Sequence, residues 1–416
     1  MIELTTAGWI VLGLIILKWA AQLWLDGLNA RHVRTHSEAM PEPLKAIVDE
    51  PSYQKSVAYT LAKSHFDRVE VSYQTVILVI ALFSGFLPFT FRYFQKTLGS
   101  SAASDAVFIF AIGLVMSLPG LPLDWYAQFH LEQRFGFNTS TQKTWWLDRL
   151  KALLLALLLA YPLLLLILKI VKWAGNLWWL WAWAALLAFQ LLMTVLAPIL
   201  ILPLFNKFTP LPEGSLRARL LELARRTNFR ARSIQIMDGS KRSRHSNAFF
   251  IGFGQFRKIV LFDTLIQQLL EPELEAVLAH EIGHYRLKHI PKGLLLSAAG
   301  SLAGFYILAL LSRADWFYRS FGFEPGDIAP ALLLFGLLSG LFTFWLSPIF
   351  HWWSRRYEYQ ADAFAARTMN ESGSLIAALR KLSEKNLSNL TPHPIYSGFY
   401  YSHPSLLERE EALKQA

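Results

Sequence analysis

Seven stretches of this 416-residue chain are each long and apolar enough to cross a lipid bilayer as a helix. A hydrocarbon core of roughly 30 Å requires about 20 consecutive apolar residues. With 54% hydrophobic residues, 30 Phe and 15 Trp, the chain is also more apolar than a soluble protein of this size. We therefore predict a polytopic, mostly α-helical membrane protein. The predicted spans lie at about 5–26, 73–95, 105–123, 150–172, 177–204, 293–311 and 329–353.

The formal net charge of +10 has two interpretations, which are nucleic-acid binding and loops that face anionic lipid headgroups. The second is favoured, because loops rich in Lys and Arg alternate along the chain with sparse loops. No basic residue precedes the first span, whereas Arg31 and Arg34 follow it closely. The pattern predicts an N-out anchor rather than a cleaved signal peptide, a cytoplasmic C-terminus and no nucleic-acid partner.

The apolar and hydrophilic stretches divide the chain into four parts. The first five spans come first, followed by the largest hydrophilic segment, the last two spans and a hydrophilic end. These parts are residues 1–205, 206–292, 293–354 and 355–416. Because the two hydrophilic parts carry much of the basic charge, both are predicted to be cytoplasmic.

The largest hydrophilic segment changes its periodicity from helical to strand-like. Three short runs there are typical of strands, with Gly252 and Gly254 available for the turn before the last of them. The predicted strands are Ser233–Met237, Asn247–Ile251 and Phe256–Phe262. The segment is therefore predicted to contain a small β-sheet, followed by a helix that begins near Pro272.

That helix carries the pattern H-E-x-x-H, from His280 to His284. The two histidines stand one turn apart on one face, so both imidazoles can reach one metal ion. Glu281 can act as the general base toward a water that the metal activates. The alternative is a pair of ordinary helix histidines, but the apolar residues around them indicate a buried helix, where a metal explains them better. In a chain with no cysteine, such ligands favour one zinc ion.

Glu358, just past the last span, is the predicted third ligand. Asp362 follows one turn later and is placed to hydrogen-bond the outer nitrogen of a ligand imidazole. The alternative is an ordinary charged cluster at a membrane exit. Both halves of the site adjoin predicted spans, so the metal should lie near the cytoplasmic membrane face. That location favours a lipid-modified or membrane-inserted substrate.

Several motifs together resemble those of the integral-membrane gluzincins that include the type I CAAX prenyl proteases. They are Phe135-Gly136-Phe137-Asn138, Pro203–Phe208, Ser246–Phe250, His280–His284, Glu358–Asp362, Ser402-His403-Pro404 and Glu408-Arg409. The resemblance implies seven transmembrane helices that enclose a water-filled chamber, with a zinc peptidase domain on its cytoplasmic side. Lys18 and Gln22, polar residues deep in the first span, are candidates for the chamber wall.

The resemblance also implies roles that residue spacing does not assign. Asn247, Ala248 and Phe249 would belong to an edge strand that binds the substrate backbone. His403 would stabilise the oxyanion of the reaction, and Arg409 would brace the site through Asp362.

Three further histidines are given no catalytic role. His289 is predicted to point away from the ligand pair, because continued helical geometry would turn it from them. His245 and His393 are predicted to be loop histidines.

The sequence thus predicts a zinc-dependent membrane endopeptidase, which resembles enzymes that trim C-terminal tripeptides after a prenylated cysteine. In a bacterial inner membrane the same scaffold would instead degrade membrane-associated or misfolded proteins. A membrane chaperone with structural zinc and a transporter are the alternatives from other classes. Structural zinc usually has four protein ligands, and a transporter usually shows repeat symmetry, and neither pattern is evident.

Overall fold

The computed structural model of the protein describes residues 5–229, 231–251 and 257–415. Most of this part is helical. The helices up to residue 205 are α1 (Thr6–Ser37), α2 (Glu42–Lys45), α3 (Glu50–Phe83), α4 (Phe86–Leu98), α5 (Ala102–Ser117), α6 (Leu121–Tyr126), α7 (Gln133–Phe135), α8 (Gln142–Trp173), α9 (Trp178–Leu196) and α10 (Leu202–Phe205). The later helices are α11 (Ser215–Arg226), α12 (Asp263–Gln268), α13 (Glu271–Arg286), α14 (His289–Leu311), α15 (Asp315–Arg319), α16 (Ile328–Met369), α17 (Gly373–Lys385), α18 (Pro394–Tyr400) and α19 (Leu406–Lys414).

Six helical stretches of the described chain are long and apolar enough to cross a membrane, and a bent pair of helices makes a seventh. Two of the six join several helices, with α5, α6 and α7 forming Ala102–Phe135 and α9 and α10 forming Gly175–Phe205. The first of these includes a π-helical turn at Ala127–Glu132. The protein is therefore an integral, multi-pass membrane protein, as the apolar stretches predict.

The second span differs from the prediction of one straight helix at 73–95. Helices α3 and α4 meet there at 53°, and Gly85 between them has a φ of 87°. This left-handed conformation is costly for residues with a Cβ, whereas glycine adopts it freely. Hydropathy alone did not indicate the bend, because the residues on both sides of it are apolar.

The last span continues far beyond its predicted end. Helix α16 has 42 residues, which at 1.5 Å per residue gives about 63 Å, or roughly twice the hydrocarbon thickness. Its second half leaves the apolar region without a break and carries Glu358 and Asp362. One continuous helix therefore links the membrane to the predicted metal site.

The hydrophilic segment contains a four-stranded mixed sheet in the order β1-β2-β4-β3. Its strands are β1 (Phe208–Pro210), β2 (Ala231–Met237), β3 (Ala248–Ile251) and β4 (Arg257–Phe262). The three predicted strands are present with shifted ends, whereas β1 was not predicted. Strand β3 pairs antiparallel with β4 and is the edge of the sheet as far as the chain is described. Gly252 and Gly254 lie outside the described residues.

The sheet and the later helices share one hydrophobic core. That core joins residues between Leu211 and Ile282 with residues between Ala365 and Leu413. At its centre α13 crosses α16 at Gly283, where an added Cβ would lie 3.1 Å from Ala361 Cα and 3.2 Å from Ala361 O. Backbone atoms cannot swing aside as a side chain can, so glycine permits this close approach. The approach brings the histidines of α13 next to Glu358.

Candidate active site

Helix α13 presents the two histidines of the H-E-x-x-H pattern on its buried face. Pro272 lies in the first turn, and the Glu273 carboxylate accepts a hydrogen bond from Leu270 N at 2.7 Å, which caps the helix. The ring centroids of His280 and His284 are 4.8 Å apart, and their Nε2 atoms are 3.1 Å apart. Both nitrogens therefore face the same point.

Glu358 of α16 completes this group from the opposite side. Its Oε1 is 3.3 Å from His284 Nε2 and its Oε2 is 3.5 Å from His280 Nε2. Within the described chain, these residues are the one group of three or more potential ligands whose donor atoms all lie within 4.8 Å of one another. The helices thus bring together the three ligands that the sequence predicts.

The chemistry and spacing of this group fit a zinc ion. Zinc lies about 2.0–2.2 Å from nitrogen and oxygen ligands, so tetrahedral ligand atoms are roughly 3.3–3.6 Å apart. The distances of 3.1, 3.3 and 3.5 Å found here are close to that range. Glu358 is only 4% exposed, and its Oε2 has no hydrogen-bond partner among the described residues. A buried carboxylate oxygen without a partner is costly, and a cation would satisfy it.

Asp362 lies one turn after Glu358 and contacts the His280 ring on the side opposite Nε2. His280 Nδ1 donates to Asp362 Oδ1 at 2.8 Å, which leaves Nε2 free for a metal. Burial alone would lower the pKa of His280, yet its contacts with Asp362 and Glu358 raise this pKa to about 9. The carboxylates therefore favour positive charge at this position, which a metal ion also supplies.

Arg409 of α19 in turn holds Asp362. Arg409 Nε donates to Asp362 Oδ2 at 2.8 Å and a terminal nitrogen donates to Oδ1 at 2.6 Å. A bidentate pair of this kind fixes orientation as well as charge. Arg409 is thus placed as the resemblance implies.

Glu281 and His403 line the same cavity as His280 and Glu358, here called the active-site cavity. This cavity has a volume of about 630 Å³. Burial raises the pKa of Glu281, partly offset by His280 and His284, which brings a carboxylate nearer to the pKa that a general base needs. His403 Nε2 lies 3.5 Å from Glu358 Oε1.

The edge strand contributes only part of its predicted residues to the cavity. Asn247 and Ala248 line it. Phe249 instead packs against Phe262, with ring centroids 6.1 Å apart, and it is not among the described residues that line the cavity. Ala248 and Phe249 are successive residues of β3, so their side chains point to opposite faces of the sheet, whereas Asn247 lies just before the strand.

His289 does not point away from the ligand pair, so that prediction was wrong. Its Nδ1 is 3.0 Å from His284 Nδ1 and its Nε2 is 3.0 Å from Gln360 Oε1. Helix α13 ends at Arg286, and Lys288 adopts a left-handed conformation with a φ of 57°. The chain therefore turns back, and helical extrapolation does not apply. Sequence reasoning also missed Tyr357, whose ring stacks on His289 at 4.0 Å.

Two further cavities lie beside the active-site cavity, among residues of the membrane-spanning helices. Tyr401 lines the active-site cavity and also a cavity that contains Gln22 and Asp26. Gln22 in turn lines a cavity of about 450 Å³ with Lys18. Lys18 and Gln22 therefore line one cavity together.

Two family models match consecutive parts of the chain. The model described as CAAX prenyl protease N-terminal, five membrane helices, matches residues 29–207. The model of peptidase family M48 matches residues 210–416.

Curated relatives match over almost the full length. A CAAX prenyl protease 1 homolog of Oryza sativa is 34% identical, covering 98% of this chain and 97% of the relative. CAAX prenyl protease 1 of Saccharomyces cerevisiae is 34% identical, covering 93% and 91%. The Homo sapiens homolog is 31% identical, covering 96% and 94%. The crystal structure of S. mikatae Ste24p matches with a TM-score of 0.91 and 33% identity, covering 99% of this chain and 100% of that one.

Proposed function

This chain belongs to peptidase family M48 and is a membrane metalloprotease of the CAAX prenyl protease type, and we propose that it cleaves membrane-associated, prenylated peptides with one zinc ion. The proposed ligands are His280, His284 and Glu358. The observation that carries the proposal is the convergence of their donor atoms at 3.1, 3.3 and 3.5 Å. The unpartnered, buried Oε2 of Glu358 supports it.

A bound zinc ion supplies a Lewis acid that polarises the scissile carbonyl and acidifies water. Glu281 would accept a proton from the attacking water and return it to the departing amine. With only three protein ligands in the described cluster, one position remains for the reacting groups. This arrangement favours catalysis over the alternative of structural zinc in a chaperone.

His403 is proposed to stabilise negative charge on the scissile carbonyl oxygen. Although 63% of the His403 side chain is exposed, desolvation by the surrounding protein lowers the pKa of His403 below its ordinary value, so its imidazole is mainly neutral at physiological pH. The Ser402 hydroxyl lies 3.0 Å from His403 Nδ1. The proposed tautomer carries its proton on Nε2, on the side that faces the site, and in it this hydroxyl would donate to Nδ1. A hydrogen bond from Nε2 to the scissile carbonyl oxygen would become stronger as that oxygen gains negative charge.

Strand β3 is proposed to bind the substrate backbone. Ala248 lines the active-site cavity, and the outer edge of the strand has no neighbouring strand among those described. An extended peptide can pair with such an edge, so that backbone hydrogen bonds supply affinity. Asn247 would contact the peptide close to the scissile bond.

The peptidase domain and the C-terminus are proposed to lie in the cytoplasm, and a bacterial inner membrane is the location that goes with the alternative of a quality-control protease. The distribution of Lys and Arg supports this orientation. Because the chain has no cysteine, single introduced cysteines report orientation cleanly. We expect Glu411→Cys to react with a membrane-impermeant thiol reagent only in inverted vesicles, and Ser100→Cys, at an exposed position between α4 and α5, only in right-side-out vesicles. The reverse labelling would refute the orientation.

A peptide panel tests the substrate. Purified protein would receive a farnesylated CAAX peptide, its unmodified form and an unfolded membrane peptide, and products would be identified by mass. We expect loss of the last three residues from the farnesylated peptide, with kcat/KM at least tenfold above the unmodified one. Zinc chelation should stop cleavage and added zinc should restore it. Preferential cleavage of the unfolded peptide would instead favour a quality-control protease.

A further inference from the structure

A second polar cavity adjoins the active site on the side of His245. Resting on the proposed peptidase function, we propose that this cavity, here called the His245 cavity, binds the substrate residues that follow the scissile bond. We further propose that His245 is a positioning residue, which fixes the beginning of the edge strand for those substrate residues.

The chain passes from one cavity into the other immediately before β3. Ser246, Asn247 and Ala248 line the active-site cavity, whereas His245 and Ser243 line the His245 cavity, which has a volume of about 450 Å³. The two cavities also share wall residues, namely Asn386, Ser388, Asn389 and Tyr401. A peptide bound along β3 could therefore extend from one into the other.

Strand geometry indicates which end of the substrate enters this cavity. Antiparallel pairs are slightly more stable per residue than parallel pairs and are more frequent. A substrate antiparallel to β3 runs from the Ile251 end toward Asn247, so residues after the scissile bond continue past Asn247. At roughly 3.4 Å per residue, the second and third of them would lie beside Ser246 and His245.

The His245 side chain is held from three directions. Its ring stacks on Phe137, with centroids 4.0 Å apart and planes at 18°. Its Nδ1 is 3.2 Å from Asn386 Oδ1, and its Nε2 is 3.4 Å from Glu132 Oε2. The carbonyl of His245 also accepts a hydrogen bond from Thr264 Oγ1 at 3.1 Å. A solvated loop histidine would not need these contacts.

The motif Phe135-Gly136-Phe137-Asn138 forms the platform under this ring. Gly136 has a φ of 85°, which turns the chain after the membrane helix. Phe137 O then accepts a hydrogen bond from Arg244 N at 3.0 Å. Thus the residues just before the edge strand are attached directly to the end of a membrane span.

Glu132, which lies within the same membrane span, also contacts the His245 ring. It is the last residue of the π-helical turn Ala127–Glu132, and its Oε1 accepts a hydrogen bond from Tyr59 OH at 2.7 Å. Turns of this type often occur at functional sites. Glu132 thus contacts Tyr59 with one carboxylate oxygen and His245 with the other.

The walls of the His245 cavity suit a peptide backbone better than a lipid chain. Besides His245 and Glu132 they include Lys63, Asp67 and Asn386. An extended peptide offers both donors and acceptors to such groups, whereas a prenyl chain would leave them without partners. The cavity therefore fits the residues after a prenylated cysteine, and not the prenyl group itself.

The test compares substrates of two lengths. Fluorogenic peptides with identical sequence before the scissile bond would carry either one or three residues after it. For wild-type protein we expect a lower KM with three residues. His245→Ala should raise the KM of the longer peptide about five- to tenfold, as expected for lost hydrogen bonds. It should change the KM of the shorter peptide less than twofold and leave kcat nearly unchanged.

Glu132→Gln provides a second variant and should raise the KM of the longer peptide about threefold. His393→Gln is the matched control, because His393 is half-buried but is not among the described lining residues of either cavity. An equal KM change for both lengths, or no change, would overturn the proposal. So would a wild-type KM that does not depend on length. In each of these cases wild-type cleavage would continue, so the proposed function would stand.

Discussion

Replacing Glu281 by glutamine is expected to lower kcat/KM by about 10³-fold or more while the protein keeps its zinc. General acid–base catalysis typically contributes about 10²–10⁴-fold, and glutamine cannot accept the proton. Glu281 faces the active-site cavity beside His280 but is not in the described ligand group. Mass spectrometry of the metal content would check that zinc is retained. The cleavage rate of the peptide that the wild-type protein cleaves fastest would check the loss of activity.

Glu271→Gln is the control for that experiment, because it makes the same change on the same helix. Glu271 lies in the first turn of α13 and accepts a hydrogen bond from Ser215. Its variant should keep wild-type activity. Equal cleavage by wild-type and Glu281→Gln proteins would show that Glu281 is not the general base or that a contaminant cleaves the peptide.

Glu358→Ala is expected to remove both zinc binding and activity. The loss of a ligand should weaken zinc affinity by more than about 100-fold, because even residues that only orient ligands contribute roughly 10–100-fold. It also removes a carboxylate that lies 3.8 Å from the Arg409 guanidinium, so the buried positive charge of Arg409 is less compensated. Cleavage should fall below detection.

Thermal unfolding with and without added zinc measures this effect independently of activity. A ligand that binds only the folded state raises its stability, so zinc should raise the Tm of the metal-free wild-type protein. It should not raise the Tm of Glu358→Ala. Glu411→Ala, at an exposed position of α19, should respond like wild type. An undiminished zinc-dependent shift in Glu358→Ala would exclude Glu358 as a ligand.

The close approach of the two histidines could be predicted because its geometry is local. His280 and His284 are four residues apart on one helix, so their common orientation follows from helical periodicity. Glu358 could be proposed from its position after the last span. By contrast, the contact between His284 and His289 depends on the chain reversal at Lys288, and helical periodicity gives no sign of it.

The membrane spans could be located for a similar reason, since each depends on a continuous apolar stretch. The ends of the helices could not be predicted from the sequence, because hydropathy indicates which residues lie in the bilayer and not where a helix ends. Helix α16 continues well beyond its apolar part. The bend at Gly85 and the strand β1 depend on tertiary packing, for which short sequence patterns carry little information.

The spacing of the metal-site residues along the chain has a consequence for biosynthesis. His280 precedes Asp362 by 82 residues and Arg409 by 129. A ribosome that adds about 5–20 residues per second needs roughly 6–26 s to cover the longer interval. During that time the last two spans must be inserted before Glu358 can reach the histidines. The proposed metal site therefore cannot assemble on a nascent chain before Glu358, Asp362 and Arg409 have been synthesised.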